Sequence, residues 1–421
     1  MRRTAGDYLG SVRRFSPNAR LYLIGSFLIG FNFSCFQLLL NLYLKELGFL
    51  EGDIGIVQSW RAFGMTAVAI PAALILSRVR LKPLLLITCP LLALFSFGLT
   101  TFTQFEYLIA FGLLAGMALS FFRVASAPFY MRNSTRTERT HLFSFSFATT
   151  MVAGMAGSYG AGLLVTYIGG QTGDMVLGYQ YTLYTAIGVS LLAFIPFSLI
   201  KGSRPSEEEN CLSISWRQVK SRSGFYFKLS VTQGLIGMGA GLVVPFLNLY
   251  FRDRFGLEPD VIGLYYILAQ MGIVVGTLFG PLLTPRLGLI RTIVVTQVAS
   301  IPFMLVLSYT YSLFLVVPAF ILRGALMNLG VPLATNFGME LSDREEQALV
   351  NALLQISWTG FWMISVAIGG ELIERHGYTL VLNLAAVLYV ASAITYYWFF
   401  GRVEQRKSSG PGWYLPQDTR V

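Results

Sequence analysis

Run after run of apolar residues, each roughly 20 long and parted by short polar turns, is the feature that most narrows what this chain can become. At 1.5 Å per residue, a helix of about 20 residues crosses the ~30 Å hydrocarbon core of a bilayer. Inside that core no water is available, so every backbone N–H and C=O must be satisfied within a helix or a closed barrel. The alternating segments of about ten residues that mark a barrel are missing. Only 12% of the residues are charged and 54% are hydrophobic, whereas a soluble domain carries about 25% charged residues. Mean hydropathy is +0.61. The lipid bilayer is therefore the expected surroundings.

The runs predict an all-α membrane protein with twelve transmembrane helices. They fall at about 20–45, 53–77, 82–103, 106–131, 141–167, 180–200, 224–250, 259–284, 288–309, 312–338, 346–373 and 378–401. Residues 1–200 and 224–402 form two six-helix bundles, 201–223 a polar linker and 403–421 a tail. The net charge of +10 does not point to nucleic acid, because the basic residues sit in short loops. One set of loops holds Arg78, Arg80, Lys82, Arg132, Arg136, Arg139, the linker bases, Arg286, Arg291, Arg344 and both termini. The opposite set keeps Lys45, Arg252, Arg254 and Arg375. Basic loops stay inside, so both termini are expected in the cytoplasm, with the chain in the cell (inner) membrane. The basic N-terminus leads into a first apolar run without a small-residue cleavage site, which reads as an uncleaved helix.

The two halves repeat. Asn41-Leu42-Tyr43-Leu44 matches Asn248-Leu249-Tyr250-Phe251, and from there the register settles at 208 residues. Gly48 meets Gly256, Gly55 meets Gly263, Gly64 meets Gly272, Arg78 meets Arg286, Gly116 meets Gly324 and Gly162 meets Gly370. Six spans per half is an even number, so both halves run the same way through the membrane, related by an axis along its normal.

With this repeat in place, the chain resembles a member of the major facilitator superfamily, and its stretches NLYLKELGF (41–49) and SAPFYM (126–131) are similar to those of prokaryotic members. The resemblance implies the major facilitator fold of two pseudo-symmetric bundles, a central solute path and rocking alternating access. The family's loop signature after the second helix is degenerate here: Ser77 stands where Asp is usual and Arg80 where Gly is usual, and Pro285-Arg286-Leu287-Gly288 also lacks the Asp. Arg78 and Arg286 remain as candidate gating residues. The stretch Gly157-Ser158-Tyr159-Gly160-Ala161-Gly162 resembles, imperfectly, the family's exporter-associated motif, which implies efflux. Gly157, Gly162 and the Gly272, Gly276, Gly280 series are otherwise close-packing positions, since small residues four apart share one helix face.

Candidate solute contacts follow from polar residues in apolar surroundings. Arg61, Arg123 and Arg323 lie within expected spans. A guanidinium there costs at least ~2.5–3.5 kcal/mol, so each should face a partner or a wet cavity. Arg323 is about eleven residues from its helix end, ~16 Å deep, and is the leading candidate counter-charge for an anionic group. The repeat places Ala269, Val331 and Ala115 opposite Arg61, Arg123 and Arg323, so the three are not duplicated scaffold. Gln58 shares a face with Arg61. Tyr266 and Gln270 share one on the eighth helix, and Asn351, Gln355, Trp358 and Trp362 form a stripe on the eleventh. Asn32 and Gln37 are expected as buried amides of the first. No Asp or Glu falls in the middle third of any span.

These residues favour a secondary transporter of a small organic solute, anionic or amphipathic, working as a monomer. Proton-driven export of drugs or metabolites wants a titratable carboxylate in the path, for which Glu371 is the fallback. A lipid flippase and a non-transporting sensor are the remaining alternatives. Nothing supports an enzyme: GxSxG, HExxH and phosphate-binding Gly-Lys loops are missing. Cys35, Cys89 and Cys211 make no disulfide framework, and with His141 and His376 they give no metal spacing, so no cofactor or metal is expected. A reporter placed at Arg204 is expected to be cytoplasmic and one at Glu258 external, as read by membrane-impermeant thiol labelling of single-cysteine variants. The reverse pattern would overturn the orientation.

Overall fold

Burying apolar backbone without water leaves helices as the elements, and helices are what the chain forms. The computed structural model describes residues 15–79, 81–134, 136–201, 222–342 and 347–408. Most of the linker with Cys211, most of the C-terminal tail, Arg80, Arg344 and the side chains of Arg78, Arg136 and Arg139 lie outside the described parts. The elements are α1 (Pro17–Glu46), α2 (Glu51–Arg78), α3 (Leu81–Thr101), α4 (Phe105–Arg132), α5 (Arg136–Thr172), α6 (Met175–Leu192), α7 (Phe194–Leu199), α8 (Ser223–Val243), α9 (Leu247–Phe255), α10 (Pro259–Leu287), α11 (Leu289–Tyr309), α12 (Leu313–Glu340) and α13 (Gln347–Ser408). Ten of the described helical segments are long and apolar enough to cross a bilayer.

Local chemistry sets the helix ends. Ser16 accepts from the Ala19 N–H, with Pro17 filling the first turn of α1 where no donor is needed. Asp174 accepts from the N–H groups of Val176 and Leu177. This cap starts α6 at Met175, ahead of Gln180, where the apolar run alone places the helix.

One expected helix is broken rather than continuous. Pro245 has no N–H to donate, and a 3-10 turn at Val244–Phe246 parts α8 from α9 where one helix over 224–250 is expected. Gly377, at φ 75° and ψ 176°, interrupts α13, so that element comprises two helical segments, parted between the helices expected at 346–373 and 378–401. Gly48 and Gly256, matched in the repeat, both take positive φ, 92° and 64°, in the turns after α1 and α9. A side chain with a Cβ is strained there, which explains why glycine stands at both places.

The described chain divides into two compact units, which do not follow the two sequence halves. Of the described residues, unit 1 takes those within 15–201, 241–270 and 362–381, and unit 2 those within 222–240, 271–361 and 382–408. In unit 1, α2 packs on α4 and α1 on α5 and α6. Its core gathers Phe15, Tyr22, Phe129, Tyr130 and Phe197, with the Tyr22 and Phe129 rings stacked at 4.1 Å. In unit 2, α11 packs on α12, around Ile290, Ile293, Leu329, Phe337, Tyr396 and Phe400.

Glycines set the closest approaches. Cβ atoms at Gly64 and Gly116 would collide with the backbone of Leu113 and of Arg61, so α2 and α4 touch main chain to main chain. In unit 2, Cβ atoms at Gly272 and Gly276 would crowd Ile321 and Ala325 of α12, while Gly280 faces Leu329 at ordinary contact distance. The glycine series is thus a packing face.

Unit 1 also holds a set of contacts that obeys the repeat. Asn41 Nδ2 donates to the Pro245 carbonyl and Asn248 Nδ2 to the Leu38 carbonyl, each at 2.6 Å. Each matched Asn thus reaches the residue three before its counterpart. A Cβ on Gly55 would lie 2.9 Å from the Val366 carbonyl oxygen, and one on Gly263 2.7 Å from that of Ser158. Gly370 abuts Glu51 and Gly162 abuts Pro259 in the same mirrored manner.

Gly116→Leu is expected to lower the thermal unfolding midpoint of the purified protein, since overpacking costs about 1–3 kcal/mol. Gly188→Ala should be neutral, because nothing lies within 4 Å of a Cβ there.

Candidate functional site

The α2–α4 contact decides where two of the three arginines stand. With Gly64 against Leu113 and Gly116 against Arg61, the two helices are too close for side chains between them. Arg61 and Arg123 then converge on α1. The Arg123 guanidinium lies 5.0 Å from the centre of the Phe33 ring and that of Arg61 5.7 Å from it. The two cations also repel one another. Arg61 is half-buried and Arg123 accessible. Among the described residues, neither guanidinium has an ion pair or a hydrogen bond. Each therefore keeps its five N–H donors open. A cation over an aromatic face gains ~0.5–2 kcal/mol, which does not replace a hydrogen-bond partner.

Neighbouring amides extend the site. Gln37 lies one turn beyond Phe33 and Asn41 two turns beyond, on one face of α1. Gln37 is exposed, not buried as expected, although Asn41 one turn further on is buried. Gln58 Nε2 donates to Asn41 Oδ1, which ties α2 to the same face. Asn32 is buried, 3% exposed, and its Nδ2 has no hydrogen-bond partner. Gln270 is half-buried with its Oε1 against Gly154 of α5, and Tyr266 is half-buried on α10.

Arg323 belongs to unit 2. The leading sequence candidate for an open counter-charge is instead packed within unit 2 at 5% exposure. It lies beside Tyr389, and its Nε is unpartnered. Asn351 and Gln355 are exposed and Trp358 half-buried in the same unit, whereas Trp362 belongs to unit 1. Arg286 is exposed near the end of α10. Gly157 packs on Phe31 and Ser34, and Gly162 on Pro259, so both are close-contact positions. Phe33 is the residue that sequence reasoning missed. Its spacing of four from Gln37 and eight from Asn41 was the available signal. Among the described residues no group of His, Cys, Asp and Glu could hold a metal.

Such a molecule is an all-helical membrane carrier. The family model of the Major Facilitator Superfamily matches twice in tandem, over residues 22–231 and 229–414, and the chain belongs to that family. Among solved structures it is similar to the nucleoside transporter NupG, at 16% identity, with 92% of this chain and 99% of that chain covered and a TM-score of 0.70. It is also similar to a bacterial homologue of the human lysosomal transporter Spinster in an inward-facing, unoccupied conformation. That match has 11% identity, covers 94% of this chain and 99% of the other, and has a TM-score of 0.72. The curated proteins give no match. Secondary transport of a small solute follows from the family, while the expectation of efflux finds no support in these likenesses.

Glu371, the fallback carboxylate for proton coupling, is exposed and paired with Arg375 at 2.5 Å. Exposed pairs contribute ~0–1 kcal/mol. Glu371→Gln is accordingly expected to leave flux into proteoliposomes unchanged; loss of a proton-driven component would show that it carries coupling.

Proposed function

We propose that the protein carries a small organic anion, held by Arg61 and Arg123. The observation that supports this is the pair of guanidiniums without ion pairs or hydrogen bonds beside Phe33. A carboxylate or phosphoryl group can accept parallel, charge-assisted hydrogen bonds from each of these accessible, unfilled guanidiniums. Lipophilic cations would meet repulsion at the same place. Arg323, packed beside Tyr389, serves unit 2 as an internal cation in this reading. Both termini face the cytoplasm, and the solute crosses by alternating access.

The test begins with a thermal-shift screen of metabolites, since a ligand that binds the native state raises its stability. For an anion found this way, Arg61→Gln and Arg123→Gln should each weaken binding roughly ten- to a hundredfold, because a hydrogen bond to a charged group contributes about 1.5–3 kcal/mol. Lysine at either position should fall between, having the charge without the fork. Unchanged affinity in both glutamine variants would overturn the assignment.

A further inference from the structure

The charge of the site points beyond "anion" to a number. α1, α2 and α4 carry acids only near their ends: Glu46 on α1, Glu51 and Asp53 on α2, and Glu106 on α4. Asp53 is eight residues from Arg61, ~12 Å along the axis, and Glu106 is seventeen from Arg123, ~25 Å. Glu51 is already engaged by Lys45. The cluster around Phe33 therefore holds two positive charges with no carboxylate bonded to either.

We propose that the solute is a dianion, a phosphate monoester or a dicarboxylate, with one anionic edge on each guanidinium. The inference rests on the reading of Arg61 and Arg123 as the solute site. A monoanion would satisfy one fork and leave the other cation unpaired. A dianion pairs both and replaces their mutual repulsion with attraction to a shared partner. Gln37, accessible one turn from Phe33, supplies an amide for the body of the solute.

The full chain, purified in detergent at pH 8 and fixed chloride, is titrated with succinamide, succinamate and succinate, which carry zero, one and two negative charges on one skeleton. Phenyl phosphate and methyl phenyl phosphate form a second pair, dianion against monoanion. Thermal stabilisation against concentration gives each affinity. Succinate and phenyl phosphate are expected to bind ten- to a hundredfold more tightly than their monoanionic partners. In Arg123→Gln, which removes one unpaired cation, that ratio should fall towards one. Equal binding of monoanion and dianion, or no stabilisation by either dianion at millimolar concentration, overturns the dianion and leaves other anions open. Equal binding of succinamide and succinate overturns the anion reading itself. Phosphatidic acid in mixed micelles carries the same phosphate on acyl chains. Stabilisation by it and not by phenyl phosphate overturns the small-solute reading.

Discussion

Close approach of one backbone to another, made possible by glycine, is the contact on which the rest of unit 1 depends. Between helices in lipid there is little hydrophobic driving force, because the tails are as apolar as the side chains. Dispersion contacts must supply the association, and they are strongest where nothing projects between the main chains. Gly64 and Gly116 bring α2 and α4 together in this way. The guanidiniums of Arg61 and Arg123 meet over one ring because their helices meet first. The same principle recurs at Gly55 with Val366 and at Gly263 with Ser158.

The arginine pair works against stability. Two like charges in apolar surroundings, with an aromatic ring in place of an acid, form an arrangement that a purely structural core would avoid. Arg323 is the useful contrast. It is a buried cation, packed beside a tyrosine, and it occupies little accessible surface. Strain held in an open, unpartnered pair can be relieved only by something that arrives from outside the protein. That difference, rather than depth in the bilayer, separates Arg323 from the other two arginines.

Much of this was legible in the chain. Apolar runs give the helices, and the repeat gives their tandem arrangement, down to the matched turns at Gly48 and Gly256. The glycine series reads as packing because the spacing of four leaves no simpler explanation. Pairing across distant segments was not legible. Arg323 finds Tyr389 on a later helix, and nothing near position 323 announces it. Depth alone made that arginine look like the solute's partner. Phe33 is one of 33 phenylalanines, and its spacing from Gln37 and Asn41 was too weak a signal to single out its place between two arginines. The break at Pro245 was readable from proline's missing donor, yet the apolar run across it masked the signal.

The mirrored contacts of Asn41 with Pro245 and Asn248 with Leu38 have a consequence for how such a chain can arise. A surface whose residue i meets j while j meets i is isologous, the kind of face that two identical subunits share about a twofold axis. The Asn donor, the carbonyl three residues before it and the glycines that accompany them occur once in each half. A chain of half this length would therefore already carry both sides of the interface. Joining two copies end to end adds a tether to a contact that needs no new residues, and afterwards each half is free to diverge, as Arg61 and Arg123 have from Ala269 and Val331.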